Sequence, residues 1–144
     1  MNYPEATVGA VILNPDNKVL ICRSTKWNGK YVIPGGHIEL GEKMEEALIR
    51  EVREETALEI FEIELFSLKE SIYGKDFGEK RHFIFIDYLC RTASYEVDLN
   101  DEFDAYEWIS LAELDDFDLE NFVKGLLEEL RDKNNSNYKT EIFY

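Results

Sequence analysis

The chain has 144 residues, 44% of them hydrophobic and 13% aromatic, which suits one globular domain that buries a core without disulfides or structural zinc. Sixteen Lys and Arg against 31 Asp and Glu leave a formal charge of −15, which excludes the basic face a nucleic-acid polymer needs and a polybasic membrane surface. An anionic substrate is compatible with that charge where divalent cations bridge the two.

Thr7–Leu13 is apolar and β-branched and runs into Asn14-Pro15-Asp16-Asn17, a strand and a turn, with Val19–Ser24 as the returning strand of a hairpin. Cys22 and Cys90 sit in apolar runs with no C-x-x-C spacing, as small buried thiols of a reducing compartment do. Val8 to Leu13 is too short for a signal peptide or a membrane span, so a cytoplasmic protein is expected. Tyr31-Val32-Ile33 reads as a short strand stopped by Pro34-Gly35-Gly36, and residues 43–56 carry a long helical pattern. Phe61–Ser71 and His82–Arg91 are strand-like, joined by a charged loop from Gly74 to Arg81 that holds Lys75 and Lys80. His82 to Ile86 is apolar on both faces, the mark of a central strand covered on both sides. Tyr106–Ile109 is a last short strand and Leu119–Arg131 a second amphipathic helix. Residues 1–131 are therefore expected to form one domain, with 132–144 a frayed polar tail.

The first helix places acid where apolar residues belong. At about 100° per residue, Met44, Ala47, Leu48, Val52 and Leu58 share one arc, and Glu51 and Glu55 fall inside it, with Glu54 at its edge. Unpaired buried carboxylates cost several kcal/mol each. An arginine or a hard divalent cation relieves that cost, and Glu51 and Glu55, four apart, are near enough to share one ion. A solvated acidic face abutting the apolar stripe explains an isolated E-x-x-E-E equally well.

The residues before the helix separate these readings. Pro34-Gly35-Gly36 lets the backbone approach a ligand. Glu42 lies six residues after Gly36, and Arg50-Glu51-Val52-Arg53-Glu54-Glu55-Thr56-Ala57-Leu58 follows. Over residues 36–58 this is G-x5-E-x7-R-E-U-x-E-E-x-Ala-U, with U a bulky aliphatic residue. It resembles the box of the Nudix (MutT-like) hydrolases, with Ala57 where that family usually has a helix-capping Gly. Tyr31 to Glu42 and Glu107-Trp108-Ile109 extend the resemblance to about residues 5–130.

The resemblance implies an α+β Nudix fold, a mixed β-sheet sandwiched between α-helices. It implies a Mg²⁺- or Mn²⁺-dependent pyrophosphohydrolase that cleaves a nucleoside di- or triphosphate derivative by water attack at phosphorus. Its implied metal ligands are Glu51, Glu54, Glu55, Glu102 and the Gly35 carbonyl, with Glu51 also the candidate general base and Arg50 orienting the glutamates. Arg23, Tyr31 and His37 are the candidate substrate contacts, and Trp27 and Phe85 candidates to stack a base. Glu42 would pin the loop, and His82 would be structural. A solvated loop explains Glu102, between Asp101 and Asp104, as readily, and Arg23 reads equally as a surface cation at a strand end. The expected partner is a small nucleotide, with no nucleic-acid polymer and no membrane, and a homodimer is compatible with the family. A Nudix-fold module that binds a nucleotide without cutting it is the alternative, although such modules usually lose box glutamates that this chain keeps.

Overall fold

The structure, a computed structural model, describes residues 3–77, 80–133 and 140–143. Among these, one mixed sheet runs through β1 (Glu5–Leu13), β2 (Val19–Ser24), β3 (Tyr31–Val32), β4 (Gly35–His37), β5 (Ile60–Ile72), β6 (His82–Thr92), β7 (Phe103–Ile109) and β8 (Thr140–Phe143). Its order is β3-β2-β1-β6-β5-β8, with β4 also on β1 and β7 also on β2. The helices are α1 (Met44–Thr56) and α2 (Asn121–Asp132), with 3-10 turns at Lys75–Phe77 and Leu111–Asp116.

Strand periodicity assigns the two helices to opposite faces. Val8, Ala10 and Ile12 of β1 pack with Leu20 and Cys22 of β2, Ile86 and Tyr88 of β6, and Ala47, Leu48 and Val52 of α1. Val11 of β1, Val19 and Ile21 of β2 pack on the other side with Val123, Leu126 and Leu127 of α2. The layers are thus helix, sheet, helix, as expected from the sequence. β6 lies between β1, which it meets in parallel over nine residue pairs, and β5, which it meets antiparallel. That placement explains its apolar character on both faces.

Several details depart from the sequence reading. β2 pairs with β1 only at Leu13↔Val19 and spends its length on β7, from Val19↔Ile109 to Ser24↔Phe103. Gly35–His37 does not simply stop a strand; it forms the antiparallel β4 on β1. A Cβ on Gly35 would lie 2.1 Å from the Val8 carbonyl oxygen, so only glycine admits that approach. Met44, placed on the buried arc, is 45% exposed because it occupies the first helical residue, beyond the reach of the sheet. Thr140–Phe143, read as part of a polar tail, adds a parallel strand to β5, while residues 134–139 and 144 of that tail lie outside the described residues. Cys22 and Cys90 are free and buried, and burial pushes both thiols up.

Both ends of α1 are tied. Glu46 accepts from the Lys43 N–H at 3.1 Å, one half of a capping box. At the other end Ala57 adopts φ 61°, ψ 13°, and its N–H donates to the Arg53 carbonyl at 3.0 Å. A left-handed alanine bears a steric cost that glycine escapes. Ala57→Gly should therefore raise the unfolding free energy by about 0.5–1 kcal/mol, read as a higher urea midpoint at unchanged m-value.

Candidate active site

The site begins with a missing side chain. A Cβ on Gly36 would lie 2.5 Å from the carboxyl carbon of Glu51 and 2.6 Å from both its oxygens. The Glu51 carboxylate therefore rests against bare backbone of β4. One turn on, Glu55 is 5% exposed, and its carboxylate accepts the Gly35 N–H at 2.9 Å. Burial, with the charges of Glu51 and Glu102 nearby, raises the Glu55 carboxyl to about 9, although the Gly35 hydrogen bond works the other way. Glu102 arrives from the segment between β6 and β7. That segment is held to the end of α1 where Asn100 N–H donates to the Glu55 carbonyl at 3.2 Å and Asp98 N–H to the Thr56 carbonyl at 3.0 Å.

Arg50 gathers the rest of the box. Its guanidinium donates to Glu42 through Nε (2.7 Å) and Nη2 (3.0 Å), to Glu51 through Nη1 (2.9 Å), and to the His37 carbonyl through Nη2 (3.1 Å). A longer bond, 3.4 Å, reaches Glu54, whose side chain is 56% exposed. Arg50 holds the Glu42 carboxyl down at about 2, and Glu42 closes the loop by accepting the Glu39 N–H at 3.0 Å. Glu46, one turn before Arg50, is taken instead by the helix N-terminus.

A cavity of about 400 Å³ opens from these glutamates across the edge of the sheet towards α2. Gly35, Gly36, Glu51, Glu55 and Glu102 line one end. Trp27, Phe77, Phe83, Phe85 and Phe122 line the other, with ring centroids 5.0–5.7 Å apart around Phe77. His37 lines the cavity too, with Nε2 2.8 Å from Glu5. Arg23 and Tyr31 do not line it. Arg23 points to Asp104 (2.8 Å), and the Tyr31 ring packs edge-on against Phe117. Of the basic residues in the 74–81 loop, whose residues 78 and 79 lie outside the described ones, Arg81 reaches the cavity and Lys80 covers the Tyr73 ring. His82 pairs with Glu70, as a structural histidine would.

Sequence reasoning missed Phe77, Lys26, Lys69 and Asp87. Lys26 is 2.8 Å from Glu102. Phe77 hid in a loop that reads as charged. Lys69 and Asp87 are strand residues whose approach depends on tertiary pairing. Among the described residues no three His, Cys, Asp or Glu side chains converge closely enough to enclose an ion as they stand. The donor set nevertheless suits a hard dication: carboxylate oxygens beside a glycine cradle, one of them on a carboxyl that burial first and neighbouring acid second push up.

The NUDIX domain model matches residues 4–130. Nucleoside triphosphatase NudI of Escherichia coli K12 is 30% identical over 125 residues, 80% of this chain and 89% of NudI. The fold is similar to that of a MutT protein from Methanosarcina mazei Go1, with a TM-score of 0.77 at 23% identity over 94% of this chain and 99% of that one. It is similar also to the NUDIX domain of Shewanella oneidensis NrtR, complexed with ADP ribose, with a TM-score of 0.76 at 20% identity over 91% of this chain and 88% of that one. The chain thus belongs to the Nudix family, and it is a MutT-like hydrolase. Enzymes of this family act on nucleotide phosphoanhydrides and generally need a divalent metal. No helix among the described residues is long and apolar enough to cross a membrane.

One contact at the cavity edge titrates in the acid range. Glu5 is buried, paired with Arg81 through both carboxylate oxygens and bonded to His37, and Arg81 holds its carboxyl down at about 2. Its pKa is depressed in the folded chain, so its stabilisation is complete above the ordinary value of 4.5 and is lost as pH falls from there through about 2. Urea midpoints measured between pH 6 and pH 2 should fall less steeply for Glu5→Gln than for the parent chain.

Proposed function

We propose that the protein is a metal-dependent pyrophosphohydrolase that cleaves a nucleoside di- or triphosphate derivative by water attack at phosphorus, with Mg²⁺ or Mn²⁺ as its cation. The observation that carries this reading is the Glu51 carboxylate lodged in the space of the absent Gly36 side chain, beside the buried Glu55. Nothing about folding calls for that arrangement. Two apolar residues would fill the same helix positions at lower electrostatic cost.

Glu51, Glu55 and Glu102, with Glu54 and the Gly35 carbonyl, are the residues that would hold the cation. When bound, it would neutralise phosphate oxygens and acidify the attacking water. The chain's own residues do the remainder. Glu51 is placed to take a proton from that water, because Arg50 fixes its carboxylate at 2.9 Å while leaving it at the cavity wall. Arg50 acts by position, binding Glu42, Glu51 and the His37 carbonyl in one fan of bonds, which couples loop to helix. His37, at the cavity wall, is placed to meet a phosphate oxygen. Residues 1–131 would supply the whole catalytic unit, working in the cytoplasm on a small nucleotide.

The test is a nucleotide panel incubated with Mg²⁺ or Mn²⁺, with products read by mass. Hydrolysis at a phosphoanhydride is expected, and EDTA should abolish it. Glu51→Gln and Glu55→Gln should each lower turnover by about 10²-fold or more while thermal melting still shows a cooperative fold. Parent-like turnover in both variants would overturn the mechanism. Binding without hydrolysis would point to a sensing module instead.

A further inference from the structure

At the far end of the cavity lies a carboxylate with no partner. Asp87 of β6 is 8% exposed and lines the cavity, and among the described residues it makes no hydrogen bond or ion pair. It stands in a row of small or polar residues that interrupts the apolar α2 face of the sheet: Gly9 on β1, Asp87 on β6 and Ser67 on β5 are register partners. A Cβ on Gly9 would fall 2.4 Å from Asp87 Oδ1, so the glycine makes room for the carboxylate. Ser67 Oγ is buried with no hydrogen-bond partner. A fold does not gain by burying polar atoms that bind nothing, so this row is suited to a ligand that enters the cavity.

Lys69 supplies the complementary charge. It lies one pleat along β5, lines the same cavity, is buried, and is ion-paired with Glu129 of α2. An ammonium has three donors, and Glu129 occupies one of them. Burial pushes the Asp87 carboxyl up to about 7, with the Lys69 charge working against that rise and those of Glu129 and Glu120 adding to it. Phe83, Phe85 and Phe122 line the space around the pair and provide flat apolar surfaces on which a heterocycle stacks.

We propose that Asp87 and Lys69 read the lactam edge of the substrate's base, Asp87 accepting its ring N–H and Lys69 donating to the adjacent carbonyl. This rests on the nucleotide reading above and names the class of base. Guanine, hypoxanthine, uracil and thymine present N–H beside C=O. Adenine and cytosine present a ring nitrogen lone pair beside an amine, which sets a lone pair against a carboxylate and a donor against an ammonium.

The experiment measures calorimetric binding of GMP, IMP, UMP and TMP against AMP and CMP without metal, and kcat/KM for the corresponding triphosphates with Mg²⁺. Lactam bases should be favoured about tenfold or more. Asp87→Asn keeps the size but offers an amide, which matches adenine and cytosine, so the preference should fall or reverse. Gly9→Ala keeps the charge but displaces the carboxylate, and it should erode the preference as well. A ratio between substrates does not move when a variant is merely less stable, so it separates base reading from a structural role. Equal binding of the two base classes, binding of neither, or an unchanged ratio in Asp87→Asn would overturn the inference. Base preference without hydrolysis would support it while removing the enzymatic reading, and hydrolysis without base preference would do the reverse.

Discussion

The structure turns on how a helix tolerates carboxylates on its inward side. Glu51 and Glu55 sit on the edge of α1 that meets β4, and the sheet receives them with backbone instead of side chains. Gly36 leaves the volume, and Gly35 donates its N–H. Both effects require that β4 be glycine where it faces the helix, and β4 can then approach β1 only because Gly35 lacks a Cβ as well. The same two glycines therefore close the sheet and open the acidic site. Ala47, Leu48 and Val52 bury the rest of that helix face and hold the acidic residues in place against their mutual repulsion.

Arg50 makes this arrangement cooperative. One guanidinium joins the loop glutamate Glu42, the helix glutamate Glu51 and the backbone of His37. It compensates one carboxylate at the cavity, while the buried Glu55 accepts from the Gly35 amide and shares a hydrogen bond with Glu51. The result is an uneven charge distribution: the arginine holds the rim, and burial pushes the inner acid up. The same cavity is lined by the aromatic rings and by Asp87 and Lys69, so the proposed base reading and the proposed phosphate chemistry would share one cleft.

The acidic end was legible in the sequence because it is local. Helical geometry alone puts Glu51 and Glu55 on the apolar arc, and the glycines that receive them lie within 20 residues. The aromatic end was hidden because it depends on register. β5 carries two register shifts against β6, between Phe61 and Glu64 and between Leu65 and Ser67, and Glu62 has a positive φ of 51°. Each irregularity resets which side chains face α2, so simple alternation along Phe61–Ser71 does not show that Ser67 and Lys69 join Asp87. Arg23 and Tyr31 lie outside the cavity lining for a related reason. A strand-end residue near the box in sequence is drawn off by its true neighbours, Asp104 on β7 and Phe117 after the second 3-10 turn. β4 escaped because glycines carry no strand propensity, and their pairing comes from close backbone approach.

α2 organises the aromatic end. Glu120 caps its start, accepting from the Phe122 and Val123 N–H groups at 2.9 and 3.2 Å, and also lines the cavity. Phe122, one residue into the helix, joins the aromatic wall, and Glu129, two turns further on, holds Lys69. The helix that buries Val123, Leu126 and Leu127 against the sheet thus fixes the position of the lysine, the orientation of a wall ring and one cavity acid at once. Small shifts of α2 against the sheet would alter all three together. On the proposed base reading, variation in its packing, with α1 unchanged, is a physical route by which this fold would change the base it accepts while keeping the acidic site.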